Sequence, residues 1–310
     1  MTSAVDVRDV QCRLGTLDVL KGVNISVTSG ELVTLVGPSG CGKSTLLRVI
    51  AGLEQPSAGT VMLDGVDVTD TPAEKRRVGL VFQSNALFGH LTVQRNIAFG
   101  LRHLSRRERK ERVREMLDLV KLGDLAHRYP HQLSGGEQQR IALARALAPE
   151  PPVVLMDEPF GALDEVLREE LGWEVKDILS QRNTAAILVT HDRHEAITLG
   201  DRVAVMDGGH ILQCDIPRTV YDAPATRFVA DFLAVSSYLS TPSGGETLVR
   251  PHQVSVGAGG PHTVIRVEFL GASSRYTIRM DNGSIVVADV EPGTPLLVGD
   301  PCDVHIRDQR

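Results

Sequence analysis

The chain has 310 residues, 42% of them hydrophobic, a formal net charge of -6 and a pI near 5.9. That length suggests about two domains with enough apolar residues for a sizeable core, and the acidic balance argues against a protein that coats nucleic acid, which would be basic. No run of about 18 apolar residues is present to span a bilayer, and the opening MTSAVDVRDV lacks the basic-then-apolar pattern of a secretory signal. The four cysteines (Cys12, Cys41, Cys214 and Cys302) form no C-x-x-C pair and read as reduced cytosolic thiols.

In chain order, Val23 to Val27 and Leu32 to Val36 read as strands split by a Ser29-Gly30 turn. Ser44 to Ala51 reads as a short helix closed by Gly52. Thr60 to Val68 alternates around Asp64-Gly65, a hairpin signal, and Leu80 to Gln83 is a further short strand. Ser105 to Leu122 turns helical: Val113, Met116, Leu117 and Val120 fall at i, i+3, i+4, i+7, and Ser105 with Glu108 forms a capping box. The basic cluster from Arg106 to Arg114, interrupted by Glu108 and Glu111, reads as a solvated face.

Strands return at Val153 to Met156, Ala186 to Val189 and Arg202 to Met206, with helical stretches between them. Strands alternating with helices predict a mostly parallel α/β sheet. Thr226 to Leu233 reads as a last helix, and the Ser, Pro and Gly residues from Val235 to Gly245 read as a linker. Thr263 to Leu270, Tyr276 to Met280, Ile285 to Ala288 and Val304 to Ile306 are strand-like, and Asn282-Gly283 is a two-residue hairpin turn. The tail therefore reads as a small all-β domain.

Three motifs carry chemistry. Gly37-Pro38-Ser39-Gly40-Cys41-Gly42-Lys43-Ser44 satisfies G-x-x-x-x-G-K-[ST], with Thr45 following. Glycines let such a loop turn its N–H groups inward around anionic oxygens, and the helix that follows presents its positive end to them. Lys43 is expected on the β/γ-phosphates and the Ser44 hydroxyl on Mg²⁺. Asp157 ends an apolar run, where a buried strand delivers a carboxylate to a metal shell, and Glu158 follows it. Between them lies Leu133-Ser134-Gly135-Gly136-Glu137-Gln138-Gln139-Arg140, whose hydroxyl, glycine amides and helix start could meet a phosphate.

That ordered trio resembles the nucleotide-binding subunit of ABC transporters, over about residues 5 to 235. The resemblance implies a P-loop NTPase fold with a helical subdomain at about 84-150 in an ATPase domain of 1-235. A linker at 236-246 and a small OB-like, TOBE-type β domain at 247-310 are expected to follow. It implies that Glu158 polarises the attacking water and that His191, after Ile187-Leu188-Val189-Thr190, contacts the γ-phosphate. Gln83 matches the Q-loop glutamine that touches Mg²⁺ or the water, and Asp164, in Gly161-Ala162-Leu163-Asp164, matches the loop at a dimer interface. Ser134, Gly135, Gly136 and Glu137 are placed by the resemblance against ATP held by a second copy. ATP and Mg²⁺ are the implied cofactors, and an ATP-sandwich homodimer the implied assembly. Two transmembrane permease subunits, an external solute-binding protein acting indirectly, no nucleic acid, and the cytoplasmic face of the membrane complete the expectation.

The β tail resembles that of binding-protein-dependent importers in the iron(III), polyamine and sulfate group. Tyr129-Pro130-His131-Gln132 and the short tail lean toward iron(III). Asn85 to Val93 resembles the segment that docks a permease helix. Three positions depart from the pattern: Leu14 where relatives stack an aromatic residue on adenine, Gly89 where a proline is usual, which is expected to loosen the docking loop, and His252 after Arg250-Pro251 where Glu is common. Cys41, near a helix N-terminus, is in a setting that favours thiolate. The competing readings are a soluble ABC ATPase acting on ribosomes or DNA, whose paired cassettes, long coiled-coil insertions or basic arms are missing here, and a phosphate-loop kinase or GTPase, which the 134–137 signature and His191 oppose.

Overall fold

The computed structural model describes residues 3–82, 87–240, 245–291 and 296–307. Two compact units meet between Ala225 and Thr226. In chain order the first unit holds β1 (Ser3–Leu14), β2 (Leu17–Thr28), β3 (Leu32–Val36), α1 (Lys43–Ala51), β4 (Ala58–Leu63), β5 (Val66–Asp67), β6 (Val78–Val81), α2 (Val93–Ile97) and α3 (Arg106–Leu119). It continues through α4 (Gly135–Leu147), β7 (Val153–Asp157), α5 (Glu165–Gln181), β8 (Ala185–Val189), α6 (Arg193–Leu199), β9 (Arg202–Asp207), β10 (His210–Asp215) and α7 (Pro217–Asp222). The second unit holds α8 (Arg227–Leu233), β11 (Ser237–Ser240), β12 (Glu246–Val249), β13 (Val254–Phe269), β14 (Ser274–Arg279), β15 (Ile285–Val290) and β16 (Pro301–Ile306).

The first unit is built around a six-stranded sheet in the order β10-β9-β3-β8-β7-β6, parallel except for the antiparallel edge strand β10. Its strands are apolar on both faces, as a sheet covered on both sides requires. Val33, Leu35, Val153, Leu155, Ala185, Ile187 and Val189 point into one core, which they share with α1 and the antiparallel sheet β2-β1-β4-β5. The alternate residues Leu32, Val154, Met156, Ala186 and Leu188 point into a second core with α2 to α5. Val113, Met116, Leu117 and Val120 of the expected stripe lie buried in that second core, and the Ser105/Glu108 capping box is present at the start of α3. Arg107 and Glu111 pair on the exposed side of α3.

In the second unit β13 pairs with both β14 and β16 in a four-stranded antiparallel sheet, β15-β14-β13-β16. Val254, Val264, Tyr276, Ile278, Val286, Ala288 and Cys302 form its core. Two boundaries differ from the sequence expectation. The compact first unit ends at 225 rather than 235: α8 falls in the second unit, where buried Arg250 donates to the carbonyls of Ala230 and Ala234. The expected linker at 236-246 contains β11, which pairs with β12 from Ser237↔Val249 to Ser240↔Glu246. Ser237 is buried there and accepts from the Val287 N–H at 2.9 Å, so its polarity does not mark a linker.

Candidate functional site

Ligand sites of open parallel sheets form beyond the carboxyl ends of the strands. Here β3, β8 and β7 are adjacent, and their carboxyl ends carry the phosphate loop, Thr190-His191 and Asp157-Glu158. Thr190 is buried, and its N–H donates to the Leu35 carbonyl, tying the end of β8 to the end of β3.

The loop geometry demands its glycines. A Cβ on Gly37 would sit 2.0 Å from the Met206 carbonyl oxygen, and one on Gly42 would sit 2.9 Å from both Leu20 and Met206 side chains. Gly40 and Gly42 take φ of 81° and 111°, which L side chains avoid. Helix α1 starts directly at Lys43 with no side-chain cap and no acidic residue in its first turn, so its amide end is left to an anion. Lys43 Nζ donates to the carbonyls of Gly37 and Pro38 at 2.8 Å each, which holds the ammonium across the loop.

The second strand end supplies oxygen. Burial pushes the Asp157 carboxyl up from its ordinary value, against the pull of a hydrogen bond with the Ser44 side chain. Neighbouring Glu158 adds to the rise, while Arg48 and Lys43 oppose it. A half-buried carboxylate bonded to a hydroxyl is the hard-oxygen donor pair that Mg²⁺ takes, so the residues present fit that ion.

Glu158 adopts φ 49°, an unfavourable region for a non-glycine residue. Its N–H donates to the Val189 carbonyl at 2.9 Å, and its Oε1 lies 3.3 Å from His191 Nδ1. The His191 side chain is 67% exposed and that of Glu158 22%, so the pair stands at the edge of solvent. Asp192 caps α6 by accepting from the N–H groups of His194 and Glu195, which starts the helix just past His191.

Gln83 lies outside the described residues, as do Asn85 and Ala86 of the expected docking segment. Asp164 caps α5, accepting from the Leu167 N–H at 3.0 Å. Ser134 caps α4: its hydroxyl accepts from the Glu137 N–H, and the Glu137 carboxylate accepts from the Ser134 N–H at 2.7 Å. Those bonds hold the Glu137 carboxyl below its ordinary value. In this structure the Ser134 and Glu137 side chains are thus engaged in capping their own helix. Leu14 ends β1 opposite Leu17, both exposed, at the tip of the hairpin whose Leu20 packs against the phosphate loop.

One expectation changes. Cys41 is buried, and burial pushes its thiol up although Lys43 pulls the other way, so the loop does not favour thiolate. The described residues around Gly89 are tied to α2: the Asn96 side chain, fully buried, donates to the carbonyls of Phe88, Leu91 and Thr92 and accepts from the Phe88 N–H. Sequence reading missed Asn96, and it also missed Gln139. Gln139 is 3% exposed, and its amide reaches the backbone of both Glu158 and Ala162. A polar residue on the apolar side of α4 was the available signal.

The ABC transporter family profile matches residues 20–161, and the TOBE domain profile matches residues 247–310. The chain is 45% identical over 308 residues to the sulfate/thiosulfate import ATP-binding protein CysA of Pseudomonas putida, covering 96% of this chain and 94% of that protein. It is 43% identical to the spermidine/putrescine import ATP-binding protein PotA of Frankia alni, covering 98% of this chain and 62% of that protein. Among solved structures, the dimeric post-hydrolysis state of the ATP-binding cassette MJ0796 bound to ADP and Pi superposes with a TM-score of 0.65 at 34% identity, covering 69% of this chain and 99% of that one. With the strand-end geometry, these likenesses establish that the chain belongs to the ABC transporter family, as the ATP-hydrolysing, energy-coupling subunit of an importer with a C-terminal TOBE domain.

Proposed function

We propose that this chain powers the import of a sulfate-class oxyanion by closing as an ATP-sandwich homodimer beneath two permease subunits, at the cytoplasmic face of the membrane. The observation that carries the solute class is the match to sulfate/thiosulfate import proteins over nearly the whole of both chains. The polyamine reading is second, because that relative extends well beyond the matched region. The iron(III) expectation finds no support among these relatives.

In the proposed cycle, the loop from Gly37 to Thr45 cradles the triphosphate and Lys43 leaves its carbonyl partners for the β/γ-oxygens. Ser44 and Asp157 would hold Mg²⁺, which would neutralise phosphate charge when bound, and the family resemblance adds Gln83 to the residues that would touch it. Glu158 orients and polarises water in line with the γ-phosphate, and His191, beside it, meets the same phosphate. Leu14 packs on the adenine without a π-face. The signature from Ser134 to Glu137, with Asp164, meets nucleotide held by the second copy, and the bonds within the Ser134/Glu137 cap support a rigid helix start there.

The test is reconstitution with cognate permease subunits and a binding protein. Sulfate or thiosulfate should stimulate ATP hydrolysis several-fold through the binding protein. Stimulation by spermidine or iron(III), with none by sulfate, would overturn the solute assignment.

A further inference from the structure

The signature helix α4 is tied to the hydrolytic strand end of its own chain. One turn past Gly136, the buried Gln139 donates from Nε2 to the Glu158 carbonyl at 2.7 Å and accepts at Oε1 from the Ala162 N–H at 2.8 Å. Its amide thus spans the turn that leads from Glu158 toward Asp164. Gly136 lies three residues earlier on the same helix face, and a Cβ there would come within 3.1 Å of Leu163 and 3.3 Å of the Ala162 carbonyl. The helix start is therefore seated directly on residues 162 and 163. The peptide that Gln139 grips belongs to Glu158, whose φ of 49° persists only if its surroundings hold it.

We propose that Gln139 is a positioning residue that couples the two ATP sites. It transmits engagement of a chain's signature helix, at one site, to the orientation of that same chain's Glu158 at the other. The proposal rests on the ATP-sandwich reading above. In that assembly one chain's signature and its Glu158 serve different nucleotides, and the amide of Gln139 links them by two hydrogen bonds. A shift of α4 on its partner's nucleotide then moves the Glu158 carbonyl and the 158–162 turn together. Hydrolysis at each site thereby becomes sensitive to occupation of the other.

Two substitutions test this. Gln139→Met keeps length and apolar contact but removes both bonds. Gln139→Glu keeps an acceptor for the Ala162 N–H and sets an oxygen against the Glu158 carbonyl. Each full-length variant is assayed for melting temperature, MgATP affinity, kcat and the Hill coefficient of hydrolysis against ATP. The expected result is kcat lowered about tenfold or more, MgATP affinity within about threefold of wild type, and a Hill coefficient falling toward one. A purely structural role would lower the melting temperature and nucleotide affinity together and leave cooperativity in the surviving activity. That outcome, a kcat within about twofold of wild type, an unchanged Hill coefficient, or failure of both variants to fold would each overturn the proposal. Wild type and Lys43→Ala run alongside: absence of cooperative, Lys43-dependent hydrolysis in the wild type would sink the ATP-sandwich reading itself.

Discussion

His191 Nδ1 stands 3.3 Å from Glu158 Oε1, although the two residues lie on different strand ends and 33 positions separate them in the chain. The contact follows from the parallel pairing of β7 with β8, where Asp157 is the register partner of Val189. Each strand then overruns its last pair by one or two residues, and the overruns meet. The Glu158 N–H bond to the Val189 carbonyl fixes the approach.

This pairing predicts distinct roles for the two side chains. His191→Ala should leave MgATP affinity within a few-fold and lower kcat by about 10- to 100-fold, because the imidazole is asked to act on the reacting phosphate rather than on the nucleotide as a whole. Steady-state kinetics with a separate nucleotide-binding titration checks it. An equal loss in affinity and kcat/KM, with kcat retained, would remove His191 from the hydrolytic step.

Asp157 predicts a pH effect with a definite sign. Burial raises its native pKa, so the unfolded chain loses this proton first. As pH rises from the ordinary aspartate range through the raised native value, the unfolded state gains relative to the native one, and this group's stability is lost. Above that window the cost of an ionised, half-buried carboxylate is fully present. Asp157→Asn keeps a partner for Ser44 and removes that cost. In the presence of EDTA and without nucleotide, the variant should melt about 2 °C or so above wild type at pH 8, and the gap should close toward pH 4. A gap that widens as pH falls would contradict the assignment.

Asn96 predicts a stability effect away from the chemistry. Its side chain makes three donor contacts and one acceptor contact to residues 88–92 with no exposure to solvent. Asn96→Ala removes the side-chain partner of the Phe88 N–H and the Leu91 carbonyl, while the Phe88 and Thr92 carbonyls keep their backbone donors, and should cost about 2–4 kcal/mol. Denaturant unfolding measures it, and hydrogen exchange should localise the loosening to residues 88–92. A loss under about 0.5 kcal/mol would mean water replaces the side chain at little cost.

Much of this was legible in the residues. The strand β3 and the helix after the phosphate loop were bounded by unambiguous turn chemistry: Gly52 takes φ 77° at the end of α1, as a C-cap glycine does. The α3 capping box was readable because both partners lie within four residues of each other. What escaped reading was long-range. β1 carries polar residues such as Asp6, Arg8 and Gln11, which mask its alternation, and its place is set by pairing with β2 and β4. Asn96 looks like an ordinary surface amide, and Gln139 is marked only by its place on the apolar side of α4, until the backbone they satisfy is brought to them. The Ser- and Pro-rich stretch after residue 235 concealed a strand, because Ser237 is polar yet buried through a bond contributed from β15. Cys41 was placed correctly in the loop, but its burial, which reverses the direction of its pKa, is a tertiary property.

The central claim is that Glu158 activates water at a composite ATP site. The direct measurement is nucleotide hydrolysis and gel filtration of wild type and Glu158→Gln with MgATP. The account predicts that Glu158→Gln binds ATP, elutes as a dimer only when ATP is present, and hydrolyses it about 100-fold more slowly or less. Hydrolysis by Glu158→Gln at the wild-type rate would contradict it.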